Sequence, residues 1–286
     1  MSEPARVGFF DAHNHLQDAW LQPHRRQVFA DLAKIPLRAA VVNGTCENDW
    51  ADVTALAREH AFVFPSYGLH PWYVGNASPQ WRDTLQRQLD ANPAAGLGEI
   101  GLDRWILERA RSDDPRLAGL RRASLEEQLV VFSEQLALAT ERNVPVTIHC
   151  LEAWGALANV LRSVRLPARG FLLHAFSGSS EMAREFAALG AYFSFNGYFL
   201  GERHVARRNV FKNLPADRLL AETDAPAMPL PPTHRRHHLP GLADNNPVNH
   251  PANIDAVYAG LAALRSWTSE ELEAQIEHNF RRWFTG

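Results

Sequence analysis

The sequence predicts an α/β fold, a single (β/α)8 TIM barrel, from three observations. The chain has 286 residues, a length typical of one such barrel. Eight short apolar runs, which read as parallel strands buried on both faces, alternate with helical patterns. Ionisable residues end or follow most of these runs. In a closed barrel these strand ends surround one pocket, whereas in a doubly wound open sheet, the alternative fold, they could not all meet.

The strands are predicted from runs of apolar and β-branched residues, and the helices from polar N-caps followed by apolar periodicity. The predicted strands cover residues 7–10, 39–43, 61–67, 94–100, 144–149, 170–174, 191–195 and 218–221. The predicted helices are residues 48–60 capped by Asn48, a helix opened by Ser78 and Pro79, residues 125–142, residues 179–189 capped by Ser179, and a last helix to about residue 284, opened by the capping-box spacing of Thr268 and Glu271.

Composition limits the classes of partner. With 29 basic and 32 acidic residues, the net charge of −3 attracts neither nucleic acid nor anionic membrane globally, so polyanion binding would need a local patch. Cys46 and Cys150 cannot form a disulfide framework, and the start of the chain lacks a secretory apolar segment. No apolar run approaches the roughly 18 residues of a membrane span. We therefore expect a cytoplasmic protein that does not bind membranes, with a monomer as the default state.

The first strand run leads into an Asp-x-His-x-His motif. Alternate residues of a strand project to one side, so Asp11, His13 and His15 are expected to converge if the strand continues, and two imidazoles there can bind one divalent metal. Four imidazoles and two carboxylates at strand ends exceed what one open catalytic metal requires, and they suit a pair. These six residues are His13, His15, Glu99, His149, His174 and Asp224.

Seven short motifs follow one another along nearly the whole chain: DAHNH at 11–15, GLHP at 68–71, GEIGLD at 98–103, IH at 148–149, LHAFSG at 173–178, ETDAP at 222–226 and NHPAN at 249–253. In this order they resemble the motifs of the TatD family of metal-dependent deoxyribonucleases, within the amidohydrolase superfamily. The resemblance implies hydrolysis of DNA phosphodiester bonds by a metal-bound hydroxide, with 3′-5′ exonuclease action as one form of that activity.

The resemblance also implies roles for individual residues. The two divalent ions would be Mg²⁺, Mn²⁺ or Zn²⁺, Asp224 would orient or deprotonate the water, and His70 and Ser177 would contact the scissile phosphate. Outer contacts to the ligands are expected from Asp11, Asp103 and Glu222. The implied ligands are His13, His15 and Asp224 for one metal, His149 and His174 for the other, and Glu99 for both.

Two departures from the family pattern concern the substrate. Leu151 lies where many members have an arginine after the histidine of the fifth strand, and His250 replaces a common glutamate. The substrate therefore stays open between DNA and an ester, lactone or amide, and Glu99 in place of a carboxylated lysine argues mildly against the carbonyl substrates. A non-catalytic metal-binding scaffold is a further alternative, which the complete ligand set disfavours.

Two arginine-rich segments have two interpretations each. Residues 104–122 form either a solvated insert, with Asp113 and Asp114 as internal counter-charges, or a basic lid in which Trp105 stacks on a nucleic acid. Residues 233–238, which include His234 and His238, form either an ordinary exposed loop or a clamp on the substrate or an adventitious metal. For both segments the exposed-surface interpretation is favoured.

Overall fold

The computed structural model describes residues 8–240 and 247–286, and its eight strands form one parallel sheet in chain order. The predicted (β/α)8 barrel is confirmed, while the predicted strand start at Val7 lies outside the described residues. The strands are β1 (Phe9–Asn14), β2 (Leu37–Asn43), β3 (Val63–Tyr67), β4 (Gly96–Asp103), β5 (Val146–Leu151), β6 (Phe171–Leu173), β7 (Ala191–Asn196) and β8 (Leu219–Glu222).

Backbone hydrogen bonds join the end of β1 to the segment that follows β8. The amide of Asp224 donates to the carbonyl of His13 at 2.9 Å, and the amide of His15 donates to the carbonyl of Ala225 at 2.8 Å. These bonds accompany an extension of β1 to Asn14, beyond its predicted end at residue 10, so that all of the motif except His15 lies in the strand. They also bring the first and last strands together, so that the carboxyl ends of the strands surround one pocket, as the barrel prediction requires.

Helices connect the strands and cover the outside of the sheet. They are α1 (Arg25–Leu32), α2 (Trp50–Glu59), α3 (Trp81–Ala91), α4 (Trp105–Glu108), α5 (Leu125–Arg142), α6 (Trp154–Ser163), α7 (Ser180–Ala188), α8 (Val205–Asn213), α9 (Ile254–Arg265) and α10 (Ser269–Phe280). Every residue of β4, β7 and β8 is buried, as expected for parallel strands that are covered on both faces. Within residues 8–240 and 247–286, none of the helices combines the length and apolarity needed to cross a membrane.

Two predicted helix starts are wrong. The N-cap of α2 is Asp49 instead of Asn48, and its carboxylate accepts hydrogen bonds from the preceding loop, including the Thr45 amide at 2.9 Å. Ser78 donates its hydroxyl proton to Glu47 at 2.7 Å, and α3 begins only at Trp81.

The caps that depend on neighbouring residues alone form as predicted. The hydroxyl of Ser179 accepts from the amide of Met182 at the start of α7. Thr268 and Glu271 form the predicted capping box of α10, which ends at Phe280, and a wider helical turn follows over Arg281–Thr285. These starts were predictable because a side-chain N-cap, with or without a capping box, closes within one turn of the chain.

Candidate metal centre

Five imidazoles and two carboxylates meet at the carboxyl ends of the strands. The group contains all six predicted ligands together with His70; five of the seven residues are buried, and His15 and His149 are half-buried. Their places in the fold are β1 for His13, the residue after β1 for His15, the loop after β3 for His70, β4 for Glu99, β5 for His149, the residue after β6 for His174 and the loop after β8 for Asp224.

The two carboxylate oxygens of Glu99 face different histidines. Oε2 lies 3.3 Å from His15 Nε2 and 3.6 Å from His13 Nε2. Oε1 lies 2.8 Å from His174 Nε2 and 3.0 Å from His149 Nδ1. Glu99 therefore lies between two pairs of imidazoles, the position required of a carboxylate that is shared by two cations.

One set of donors consists of His13, His15 and Asp224. The two Nε2 atoms are 3.2 Å apart, and Asp224 Oδ1 lies 3.5 Å from the first and 3.6 Å from the second. Their ligand atoms all lie within 4.8 Å of one another. Three nitrogen and oxygen donors at such separations form a group that can hold one divalent ion and leave positions open for water and substrate.

The second set surrounds Oε1 of Glu99. His149 Nδ1 and His174 Nε2 are 3.2 Å apart, and His70 Nε2 lies 3.5 Å from the same carboxylate oxygen. His70, Glu99 and His149 also form a group within the 4.8 Å limit. His70 is thus as close to the centre as the predicted ligands are, while its predicted contact with substrate stays a prediction.

Partners outside the centre orient two of the histidines. His15 Nδ1 lies 2.8 Å from the carbonyl oxygen of Asn43, and His149 Nε2 lies 3.2 Å from Asp103 Oδ2. Each ring therefore presents its other nitrogen to the centre. Asp103 was anticipated from the sequence, but the carbonyl of Asn43 was missed, because a backbone carbonyl occurs at every residue and leaves no signal.

The sequence also predicts outer contacts from Glu222 and Asp11, but the two residues have different partners. Glu222 Oε1 lies 3.8 Å from His174 Nδ1, and the carboxylate accepts hydrogen bonds from Ser194 and Asn196. Asp11 does not converge with the histidines, because it accepts hydrogen bonds from the hydroxyl of Thr223 at 2.6 Å and its amide at 3.0 Å. Asp11 thereby ties β1 to the loop that carries Asp224.

Charge within the centre favours ionised carboxylates. Burial alone would raise the pKa of Glu99, but electrostatic interactions with His70, His174 and His13 and a hydrogen bond with His149 lower it well below its ordinary value. Burial likewise raises the pKa of Asp224, and the hydrogen bonds of His13 and His15 outweigh that effect and lower it. Buried anionic carboxylates that face several imidazoles form a donor set whose chemistry fits divalent cations.

Ser177 and His250 lie outside this group. Ser177 forms no hydrogen bond with any described residue of the centre. His250 is fully buried, accepts the amide proton of Ala252 at Nδ1, and has Nε2 3.3 Å from Asp31. The histidine at this position therefore contacts Asp31 of α1.

Acidic side chains pair with arginines in both arginine-rich segments. Arg111 pairs with Asp113 at 2.8 Å, and Arg116 pairs with Asp114 at 2.6 Å. In the loop at 233–238, Arg236 lies 3.2 Å from Asp255 of α9. Asp113 and Asp114 are thus internal counter-charges of the segment 104–122, whereas the loop at 233–238 takes its counter-charge from α9.

Replacing Asp103 with asparagine is expected to lower kcat/KM for metal-dependent hydrolysis by about 10- to 100-fold. This is the usual loss when an outer contact to a metal ligand is removed. The amide retains the shape of the carboxylate but loses the charge that orients His149. Measurement of kcat/KM over a titration of divalent metal tests this, and higher metal concentrations should restore part of the loss. Wild-type kcat/KM and metal affinity in the variant would show that Asp103 has no such role.

Comparison with known proteins places this geometry in a family. The family model described as TatD related DNase matches residues 10–285. A 3′-5′ ssDNA/RNA exonuclease TatD from Erwinia tasmaniensis is 28% identical over 283 residues, covering 96% of this chain and 99% of that protein. A protein from Escherichia coli (strain K12), named an uncharacterized metal-dependent hydrolase YjjV, is 30% identical over 273 residues and covers 95% of both chains.

Solved structures agree with this assignment. The crystal structure of the TatD homologue YjjV from Escherichia coli superposes with a TM-score of 0.81 at 29% identity, covering 97% of this chain and 98% of that one. A TatD family hydrolase from Entamoeba histolytica shares the fold, with a TM-score of 0.77 at 19% identity and coverage of 98% and 99%. The resemblance read from seven short motifs is therefore confirmed, and the chain belongs to the TatD-related DNase family of metal-dependent hydrolases.

Proposed function

We propose that this site binds two divalent cations and hydrolyses phosphodiester bonds of single-stranded DNA. The observation that carries the proposal is the placement of Glu99, whose two oxygens each face a different pair of imidazoles. The relative from Erwinia tasmaniensis is named as an exonuclease on single-stranded DNA and RNA, which supports a nucleic acid as the substrate.

In this proposal the chain supplies two ligand sets that share Glu99. His13, His15 and Asp224 would hold one cation, and His149 and His174 would hold the other, with Mg²⁺, Mn²⁺ or Zn²⁺ as the candidate ions. When bound, the cations supply positive charge that activates water and stabilises the negative charge developing on a phosphate. We propose both the number of ions, two, and these candidate identities.

Asp224 is the proposed proton acceptor. Its carboxylate stays ionised because the hydrogen bonds of His13 and His15 overcome the effect of burial on its pKa. An ionised carboxylate at the edge of the centre can orient a water molecule and take its proton during attack on phosphorus. His70, with Nε2 directed at Glu99, is the proposed donor to a phosphate oxygen, and Ser177 keeps the same proposed role.

A cationic patch at the catalytic end of the barrel supports a polyanionic substrate. Arg203 and Arg207 follow β7, and each guanidinium lies over an aromatic ring, of Tyr198 at 5.3 Å and of Phe199 at 5.4 Å. Within the described part of the chain neither arginine forms an ion pair with a carboxylate. This patch supplies locally the positive charge that the net charge of the chain lacks.

Removal of divalent metal is expected to abolish hydrolysis of end-labelled single-stranded DNA, because the charge that stabilises the transition state is lost. Activity should return when Mg²⁺, Mn²⁺ or Zn²⁺ is added to the chelated protein. The measurement is the rate of product release on a sequencing gel before and after each addition.

The same metal series should be run on a panel of esters, lactones and amides as the matched control for substrate class. Faster metal-dependent turnover of a carbonyl substrate than of DNA would replace the phosphodiesterase proposal with the alternative activity. Equal rates with and without chelator on DNA would contradict the metal-dependent mechanism itself.

A further inference from the structure

Two tryptophans and one arginine form a cluster beside the metal centre. The rings of Trp72 and Trp105 are stacked, with centroids 6.1 Å apart and an interplanar angle of 23°. The guanidinium carbon of Arg116 lies 5.7 Å from the first ring centroid and 5.2 Å from the second. Three planar groups are thus gathered at one place, which we call the Trp72–Trp105–Arg116 cluster.

The cluster is not explained by packing of the interior. Both tryptophans are only half-buried, and among the described residues neither packs against the hydrophobic core. Arg116 is exposed, and Asp114 holds it through two hydrogen bonds, from Nε at 2.9 Å and from Nη2 at 2.6 Å. The carboxylate fixes the guanidinium, and part of the surface of each tryptophan stays exposed to solvent.

The cluster is connected to the metal centre by a short chain of hydrogen bonds. Trp72 Nε1 donates to Asp103 Oδ2 at 2.6 Å, and the same oxygen lies 3.2 Å from His149 Nε2. The ring of Trp72 also lies 5.7 Å from the ring of His70. A ligand that contacts Trp72 therefore lies next to His70 and is linked through Asp103 to His149, and both histidines face Glu99.

We propose that the Trp72–Trp105–Arg116 cluster binds the base of a nucleotide next to the phosphate that is cleaved; this inference rests on the proposed function. Bases stack on aromatic rings and on guanidinium planes, and such stacking tolerates any sequence because every base has a π-face. The hydrogen bond from Trp72 to Asp103 fixes one ring relative to His149. The cluster thereby orients the nucleotide while the centre acts on its phosphate.

The test compares a single-stranded oligonucleotide with the same oligonucleotide in which the residue next to the cleaved bond is abasic. The wild-type holoenzyme is expected to prefer the natural substrate by about 10-fold in kcat/KM, with most of the difference in KM, a size typical of one stacked base. Trp105→Ala should reduce this preference to nearly one. Trp105→Phe, which keeps an aromatic face, should retain most of it.

Trp267→Phe serves as the matched control. Trp267 also lies under an arginine, with the guanidinium of Arg265 4.6 Å from its ring, but it follows α9 and packs against the core. This variant should keep the wild-type preference, and circular dichroism should show that all the variants are folded.

Two contrary results have different meanings. If the wild type hydrolyses both oligonucleotides and Trp105→Ala keeps the full preference for the natural one, the base-binding role is wrong and the proposed nuclease activity stands. If the wild type with added metal hydrolyses neither oligonucleotide, the proposed function fails, and the base-binding role fails with it.

Discussion

Glu99→Gln is expected to lower kcat on single-stranded DNA by more than about 100-fold. The loss of a shared ligand should exceed the 10- to 100-fold loss that is typical of an outer contact. Glutamine has nearly the same shape but carries no charge, and its amide group directs donor protons at one pair of imidazoles. Both sets of donors lose their shared carboxylate in one step, since Oε1 faces His174 and Oε2 faces His15. We therefore expect the variant to lose bound metal at both positions.

The measurement is kcat together with the number of metal ions per chain, determined by elemental analysis after dialysis against a defined metal concentration. Glu152→Gln is the matched control, because Glu152 follows β5 at the same end of the barrel and pairs with Arg109 at 2.9 Å. This control should retain its bound metal. A Glu99→Gln protein with wild-type kcat and metal content would overturn the assignment of Glu99 as the shared ligand.

Asp224→Asn is expected to reduce kcat by a similar factor, more than about 100-fold, but by a different route. The substitution removes a carboxylate from one set of donors only, the set that includes His13 and His15. It also removes the proposed proton acceptor. We expect this variant to keep the cation held by His149 and His174, so that its metal content falls to about half that of the wild type.

The metal content of the two variants distinguishes the role of Glu99 from that of Asp224. Asp113→Asn is the control for this substitution, because Asp113 is exposed and pairs with Arg111 in the segment 104–122. If Asp224→Asn retains both metals and loses activity, the residue acts in proton transfer without a role as a ligand. Wild-type kcat in the variant would exclude both roles.

His250 and Leu151 are the two departures from the family pattern. His250 contacts Asp31 and Ala252. Leu151 ends β5 two residues after His149 and carries no charge for a phosphate. The cationic patch of Arg203 and Arg207 follows β7, and in the proposed function it supplies positive charge for a polyanionic substrate.

The barrel and the composition of the centre could be predicted from local patterns. Apolar runs of strand length identify the eight strands, and the caps at Ser179 and Thr268 depend on residues within one helical turn. His13, His15 and the other predicted ligands were found because parallel strands in a barrel place their carboxyl ends together. This rule requires only the order of the elements, which the sequence contains.

The tertiary structure decided which atoms meet. In the folded chain Asp11 bonds to Thr223 instead of facing the histidines. His70 lies beside Glu99, and the carbonyl of Asn43 contacts His15. Ser78 bonds to Glu47, and α3 begins at Trp81 instead of directly after Ser78. None of these contacts has a local signal, because each joins side chains or backbone groups from separate parts of the chain.

The sequence by itself therefore determined the fold class, the family and the residue types that gather at the strand ends. Only the tertiary structure decided that the two oxygens of Glu99 face separate imidazole pairs and that Trp72 lies against Trp105. The physical reason is that periodicity and capping act over a few residues, whereas the direction of a side chain in the pocket depends on the packing of all eight strands around it.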